Sequence, residues 1–104
     1  SPGPNKRITS FAYSKLSEAN FEKANLQDVY FGAANISRSN FASAYLHSAD
    51  FSNANLTAVQ GLESTINLEH AKIEDITAAE KDKKIILGIK SKKMFKQIVN
   101  SNIN

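Results

Sequence analysis

Two histidines are the side chains best equipped for chemistry in this 104-residue chain, because imidazole can hold a metal or move a proton near neutral pH. His47 and His70 are far apart in sequence, no cysteine is present, and no carboxylate cluster accompanies His47. A metal centre needs three or four converging ligands, and acid–base catalysis needs a base oriented by a second group. Neither set is legible, so His47 is expected as a solvated surface residue. No P-loop, GxGxxG or nucleophile elbow occurs. No catalytic residue, metal or cofactor is therefore expected, and the chain reads as a non-enzyme.

The next candidates are cations. Lys81, Lys83, Lys84, Lys90, Lys92, Lys93 and Lys96 could contact phosphate. Residues 1–10 carry two basic side chains, 11–60 three against four acids, and 61–104 eight against six, so +2 − 1 + 2 gives the net charge of +3. Basicity belongs to the two ends, and the middle lacks the stripe a nucleic-acid groove requires. The lysines read as a solvated helix face, with no nucleic acid as partner.

What must position every side chain here is a repeat. From residue 11 the chain divides into fives: FAYSK LSEAN FEKAN LQDVY FGAAN ISRSN FASAY LHSAD FSNAN LTAVQ. A large apolar residue opens every block: Phe11, Leu16, Phe21, Leu26, Phe31, Ile36, Phe41, Leu46, Phe51 and Leu56. Two positions earlier stands a smaller one, such as Ala19, Ala24, Val29 or Ala34, and Asn or Asp often lies between, as at Asn20, Asn25, Asn35, Asn40, Asp50 and Asn55. Steps of five scatter around an α-helix and alternate faces on a strand. They converge on one interior only if each block turns, and four corners close a coil in about 20 residues. Phe11, Phe31 and Phe51 then form one core column and Phe21 and Phe41 the opposite one, with aliphatic columns between. The Asn pairs Asn20–Asn40 and Asn35–Asn55 stack from coil to coil as turn or ladder residues.

These blocks resemble the pentapeptide-repeat family, whose motif is A-(D/N)-L-x-x centred on the large apolar residue; Tyr30 and Tyr45 depart from it by replacing Asn, and Val29 and Val59 by replacing Ala. The resemblance implies an all-β solenoid, a right-handed quadrilateral β-helix. With Ile66–His70 and Ala71–Asp75 read as two further blocks shifted by two residues, it would have about three coils. The expected organisation is a disordered or vector-derived start over 1–7, a β-helix over 8–76 with a bulge near 60–65, and a helical tail over 77–104. In the tail, Thr77–Glu80 has capping-box spacing, predicting a helix over about 78–87. Gly88 weakens it, and Ser91 begins a second helix. Met94, Phe95, Ile98 and Val99 form an apolar stripe, read as a cap over the open coil or, as its rival, a homodimer contact.

Surface composition points to a role. Tyr13, Tyr30, Tyr45 and His47 fall on two adjacent faces with the small Gly32 and Ala33 between them. Tyrosine gives large rigid contact area with a polar tip, so this corner is the expected binding surface for another protein. The leading reading is a protein–protein interaction module or scaffold. The resemblance also implies an alternative, a DNA mimic that protects topoisomerases such as gyrase, but that role requires stacked acids. A further alternative is an effector fragment or membrane-surface module using the Lys tail; no 20-residue apolar run exists, membrane contact is not expected, and the assigned compartment is the cytoplasm.

Overall fold

The computed structural model describes residues 9–103, with side chains described through Val99; the start assigned to 1–7 lies outside them. From Phe11 onward each block makes the same move. The amide of the residue three beyond the core residue donates to the core residue's carbonyl, as from Ser14 to Phe11 and from Ala34 to Phe31, both at 3.0 Å. The third residue of each turn is left-handed, with φ between 57° and 63° at Tyr13, Glu18, Lys23, Asp28, Ala33, Arg38, Ser43, Ser48, Asn53 and Ala58. This is the type II arrangement, which needs positive φ at that position. Ordinarily glycine fills it. Here ten L-residues do, each at a local cost of roughly 1–2 kcal/mol.

A preceding Asn or Asp helps to hold six of these turns. Its side-chain Oδ1 accepts from the amide two residues on: Asn20 from Glu22 (2.9 Å), Asn25 from Gln27 (3.1 Å), Asn35 from Ser37 (3.1 Å), Asn40 from Ala42 (2.9 Å), Asp50 from Ser52 (2.9 Å) and Asn55 from Thr57 (3.0 Å). These are Asx turns, and they explain the Asn/Asp preference more directly than coil-to-coil stacking does.

Four columns of parallel bridges join the coils: Ser10–Tyr30–Asp50–Lys72, Lys15–Asn35–Asn55–Thr77, Asn20–Asn40–Gln60 and Asn25–Tyr45–Ile66. Each column is one face of a four-sided tube. Each bridge is a single residue rather than a strand, because a corner every fifth residue leaves no room for a longer extended run. The pairing is nevertheless dense. Phe31 N donates to Asp50 O (2.7 Å), Ala33 N to Ser52 O (3.0 Å) and Tyr30 N to Thr9 O (3.0 Å), and the pattern recurs at other blocks.

Inside, Phe31 stacks between Phe11 and Phe51 at centroid distances of 5.4 and 5.0 Å, and Phe21 stacks on Phe41 at 5.0 Å. The two columns meet edge to face, as in Phe21–Phe31 and Phe31–Phe41, the geometry aromatic quadrupoles favour. Phe31, Ile36, Phe41, Leu46, Phe51 and Leu56 are buried, with Ala34, Ala44, Ala49 and Ala54 filling the narrow spaces beside them. Leu26 is also buried, while Phe11, Leu16 and Phe21 of the first coil are partly so.

The third coil keeps the second expected block, Ala71–Asp75, with Ala71 and Ile73 buried, Lys72 in a bridge and Asp75 left-handed (φ 54°), and departs at the first, Ile66–His70. It contains two separate one-residue insertions, visible as bridge spacings that grow from 20 (Asn40–Gln60) to 21 (Tyr45–Ile66) and then 22 (Asp50–Lys72). Each insertion is a left-handed residue between a bridge and a core residue: Gly61 (φ 81°) before Leu62, and Asn67 (φ 63°) before Leu68. Each leads into a 3₁₀ turn, Leu62–Ser64 and Leu68–His70. Leu62, Leu68 and Ile73 are buried. Ile66, the first residue of the first expected block, is 52% exposed because it occupies a bridge position; Thr65 takes the inward place and bonds back to Leu62 O.

The two-helix reading of the tail is replaced by one helix, α1 (Glu80–Ile103), which runs through Gly88 and Ser91 without interruption. Contact with the third coil carries it past both weak positions. Ile86 is buried there and Ile89 packs beside it. Lys90 Nζ donates to Glu69 O (2.7 Å), Lys93 Nζ to Thr65 O (2.9 Å) and Gln97 Nε2 to Glu69 Oε2 (2.7 Å). The stripe assigned to capping lies elsewhere: Met94, Phe95, Ile98 and Val99 are exposed by 38, 67, 53 and 37%.

Candidate functional site

The sequence-selected corner resolves into two patches. In the first, the Tyr30 ring and hydroxyl lie over Gly32, where a Cβ would collide with them. Tyr13 N donates to Gly32 O (3.0 Å), and the Tyr13 side chain stands 81% exposed at a left-handed turn position. Tyr30 is 39% exposed. Glycine at 32 is thus what allows one tyrosine to lie flat on the tube beside another that projects from it.

The second patch contains what the sequence reading missed. Tyr45 stacks on His47 (6.2 Å, 14°), and His47 meets His70 at 5.1 Å. Coil stacking brings the histidines together: Ser48 N donates to His70 O (3.1 Å), so His70 lies beside Ser48, one place further round its coil than His47, whose equivalent is Glu69. Twenty residues plus the two insertions lead from His47 to Glu69, so the histidines, 23 residues apart, meet one place out of register within the 3₁₀ turn Leu68–His70, which is why the pairing was illegible from spacing alone. His47 is half-buried rather than solvated, and its Nδ1 is buried with no hydrogen-bond partner among the described residues. Gln97 Nε2 lies 3.3 Å from His70 Nε2 and also donates to buried Glu69, tying α1 to the patch.

No three His, Cys, Asp or Glu side chains among the described residues are grouped to hold a metal. The lysine run is divided by structure: Lys90 and Lys93 are committed to backbone carbonyls, Lys83 pairs with Glu80 (3.5 Å), and Lys81, Lys84, Lys92 and Lys96 remain exposed. No described helix is long and apolar enough to cross a membrane.

The columns also fix which outward residues lie over one another. Glu18 stands over Arg38, Glu22 over Ala42, Asp28 over Ser48, and Asp50 between Tyr30 and Lys72. Phosphate mimicry would require acid over acid, and these columns instead alternate acids with neutral or basic residues.

A family model described as a pentapeptide repeat region matches residues 8–82. Among solved structures, the chain is similar to a pentapeptide repeat protein, Rfr23, from the cyanobacterium Cyanothece 51142, at 29% identity and a TM-score of 0.46. That match covers 70% of this chain and 44% of the other, so this chain spans less than half of that protein's length. No curated protein matches.

Proposed function

The chain belongs to the pentapeptide-repeat family, and from that premise we propose that it is a non-enzymatic protein–protein interaction module built on a right-handed quadrilateral β-helix. The observation that carries this reading is the Tyr13–Gly32–Tyr30 patch. A large aromatic is held 81% exposed at a strained left-handed position, next to a glycine that leaves room for a second aromatic. Neither feature serves the core. Exposed rigid aromatics on a regular scaffold suit the capture of another protein, and Tyr45 with His47 extends the surface along the adjacent face.

The test replaces Ala33 with a photo-crosslinking residue and compares adducts formed in native lysate with and without Tyr13→Ser and Tyr30→Ser. A discrete protein adduct is expected, falling at least about fivefold in the double variant with thermal melting little changed, because hot-spot truncations cost affinity more than stability. Adducts of equal yield from both proteins would remove this surface from consideration.

A further inference from the structure

We infer that α1 presents a docking seam for an acidic amphipathic helix of another protein; this rests on the interaction-module reading and names a second surface for it. At about 100° per residue, Ile86, Lys90, Lys93 and Gln97 fall on one line, and all four are buried or bonded against the third coil. A little over a quarter turn away lies a second line, Leu87, Ser91, Met94 and Ile98, whose spacings of four, three and four are those of a helix-packing seam. Leu87, Met94 and Ile98 are 52, 38 and 53% exposed, and Phe95 beside them 67%.

Charge selects the occupant. Lys81 and Lys84 border the seam on the solvent side and are exposed, Lys83 and Lys90 border it on the solenoid side with their ammonium groups engaged by Glu80 and by Glu69 O, and no Asp or Glu occurs from residue 83 to the end of the sequence. Over its length α1 carries seven lysines against Glu80 and Asp82, a net 7 − 2 = +5. A second copy would therefore bring another strongly basic helix to the seam. It offers no carboxylate to Lys84, and in parallel pairing it sets Lys against Lys, which disfavours association. A flat anionic bilayer would first meet the outermost line, opposite Ile86, and that line mixes Lys84, Gly88 and Phe95 rather than presenting an apolar face. A helix lying alongside α1, about 8–10 Å away between axes, covers Leu87, Met94 and Ile98 with its own apolar stripe and places flanking carboxylates on Lys81 and Lys84.

The experiment titrates the full chain into two labelled synthetic three-heptad helical peptides with identical Leu/Ile seams. One carries Glu at every flanking position and the other Lys. Fluorescence anisotropy at low and high salt is expected to show the Glu peptide bound at least about tenfold more tightly, with the margin shrinking as salt screens the flanks. Lys81→Glu with Lys84→Glu reverses that preference, and Met94→Ser with Ile98→Ser abolishes binding of both peptides while circular dichroism stays unchanged. The inference is overturned by equal affinity for the two peptides. It is equally overturned by a dimer of the free chain in sedimentation velocity that Met94→Ser with Ile98→Ser dissolves, or by binding to phosphatidylserine vesicles with the Glu peptide unbound. Loss of peptide binding while the Ala33 adducts persist removes only this seam; loss of the adducts while the peptide still binds removes only the tyrosine surface.

Discussion

Residues 11–60 and residues 61–77 solve the same problem with different means. The first region repeats one corner ten times: an L-residue in the left-handed region follows the core residue by two, and Asn or Asp braces six of those turns from outside. The second places a left-handed residue before the core residue at Gly61 and Asn67, each followed by a 3₁₀ turn, and returns to the regular corner after Ile73, with Asp75 left-handed (φ 54°). Regular corners give a surface that can be stacked indefinitely. Displaced corners interrupt that regularity for two blocks, bring His70 against His47, and expose the carbonyls of Thr65 and Glu69 to the lysines of α1. Local backbone geometry thus decides where on the tube a helix can dock.

The contrast is broken most severely through the regular core. Phe31 is fully buried and stacked on both sides. Phe31→Ala should cost about 3–5 kcal/mol, whereas Phe11→Ala, at the partly buried end of the same column, should cost well under that. Urea unfolding of the two variants measures the difference, and equal losses would mean that the first coil is packed as tightly as the second.

A smaller effect is expected where the third coil departs. At Gly61, φ is 81° and an added Cβ would lie 2.6 Å from Ala42 N and 2.7 Å from its Cα. Gly61→Ala combines left-handed strain of about 1–2 kcal/mol with a backbone clash. It should lower the melting temperature and raise hydrogen exchange in α1 before it does so in residues 31–56. Unaltered exchange in α1 would separate the insertion from the docking of the helix.

The mildest change compares two asparagines. Asn40 accepts the Ala42 amide, so Asn40→Ala should cost about 0.5–1.5 kcal/mol. Asn67 is itself left-handed and makes no side-chain cap, so Asn67→Gly should be close to neutral. Thermal melts distinguish them, and the reverse order would show that the Asx bond is dispensable.

How much of this was legible depends on which atom carries the signal. The core columns were readable because Phe, Leu and Ile at a fixed step leave no other converging solution. The corners were not, since Tyr13, Glu18, Lys23 and Arg38 give no compositional sign of positive φ; a five-residue turn imposed the conformation on them. At the tail, Met94, Phe95, Ile98 and Val99 invited a capping assignment by hydrophobicity alone. The cap instead uses Ile86 and Ile89 with the polar ends of Lys90, Lys93 and Gln97, because the third coil offers carbonyls as well as apolar surface. The tyrosine and histidine surface was half legible: the residue types marked it, but His70 meets His47 through the two insertions and a further one-place offset in the Leu68–His70 turn, which only a fold could locate.

The ten left-handed residues have one more implication. All are exposed, and the strain at each belongs to the main chain, so it changes little among ordinary L side chains. The outermost ridges of the tube can therefore be rewritten freely in size and charge without disturbing what lies within. A D-amino acid, for which this region is the relaxed one, should be accepted there and refused one residue along. The molecule thus carries an evenly spaced set of attachment points whose chemistry can drift at nearly constant stability.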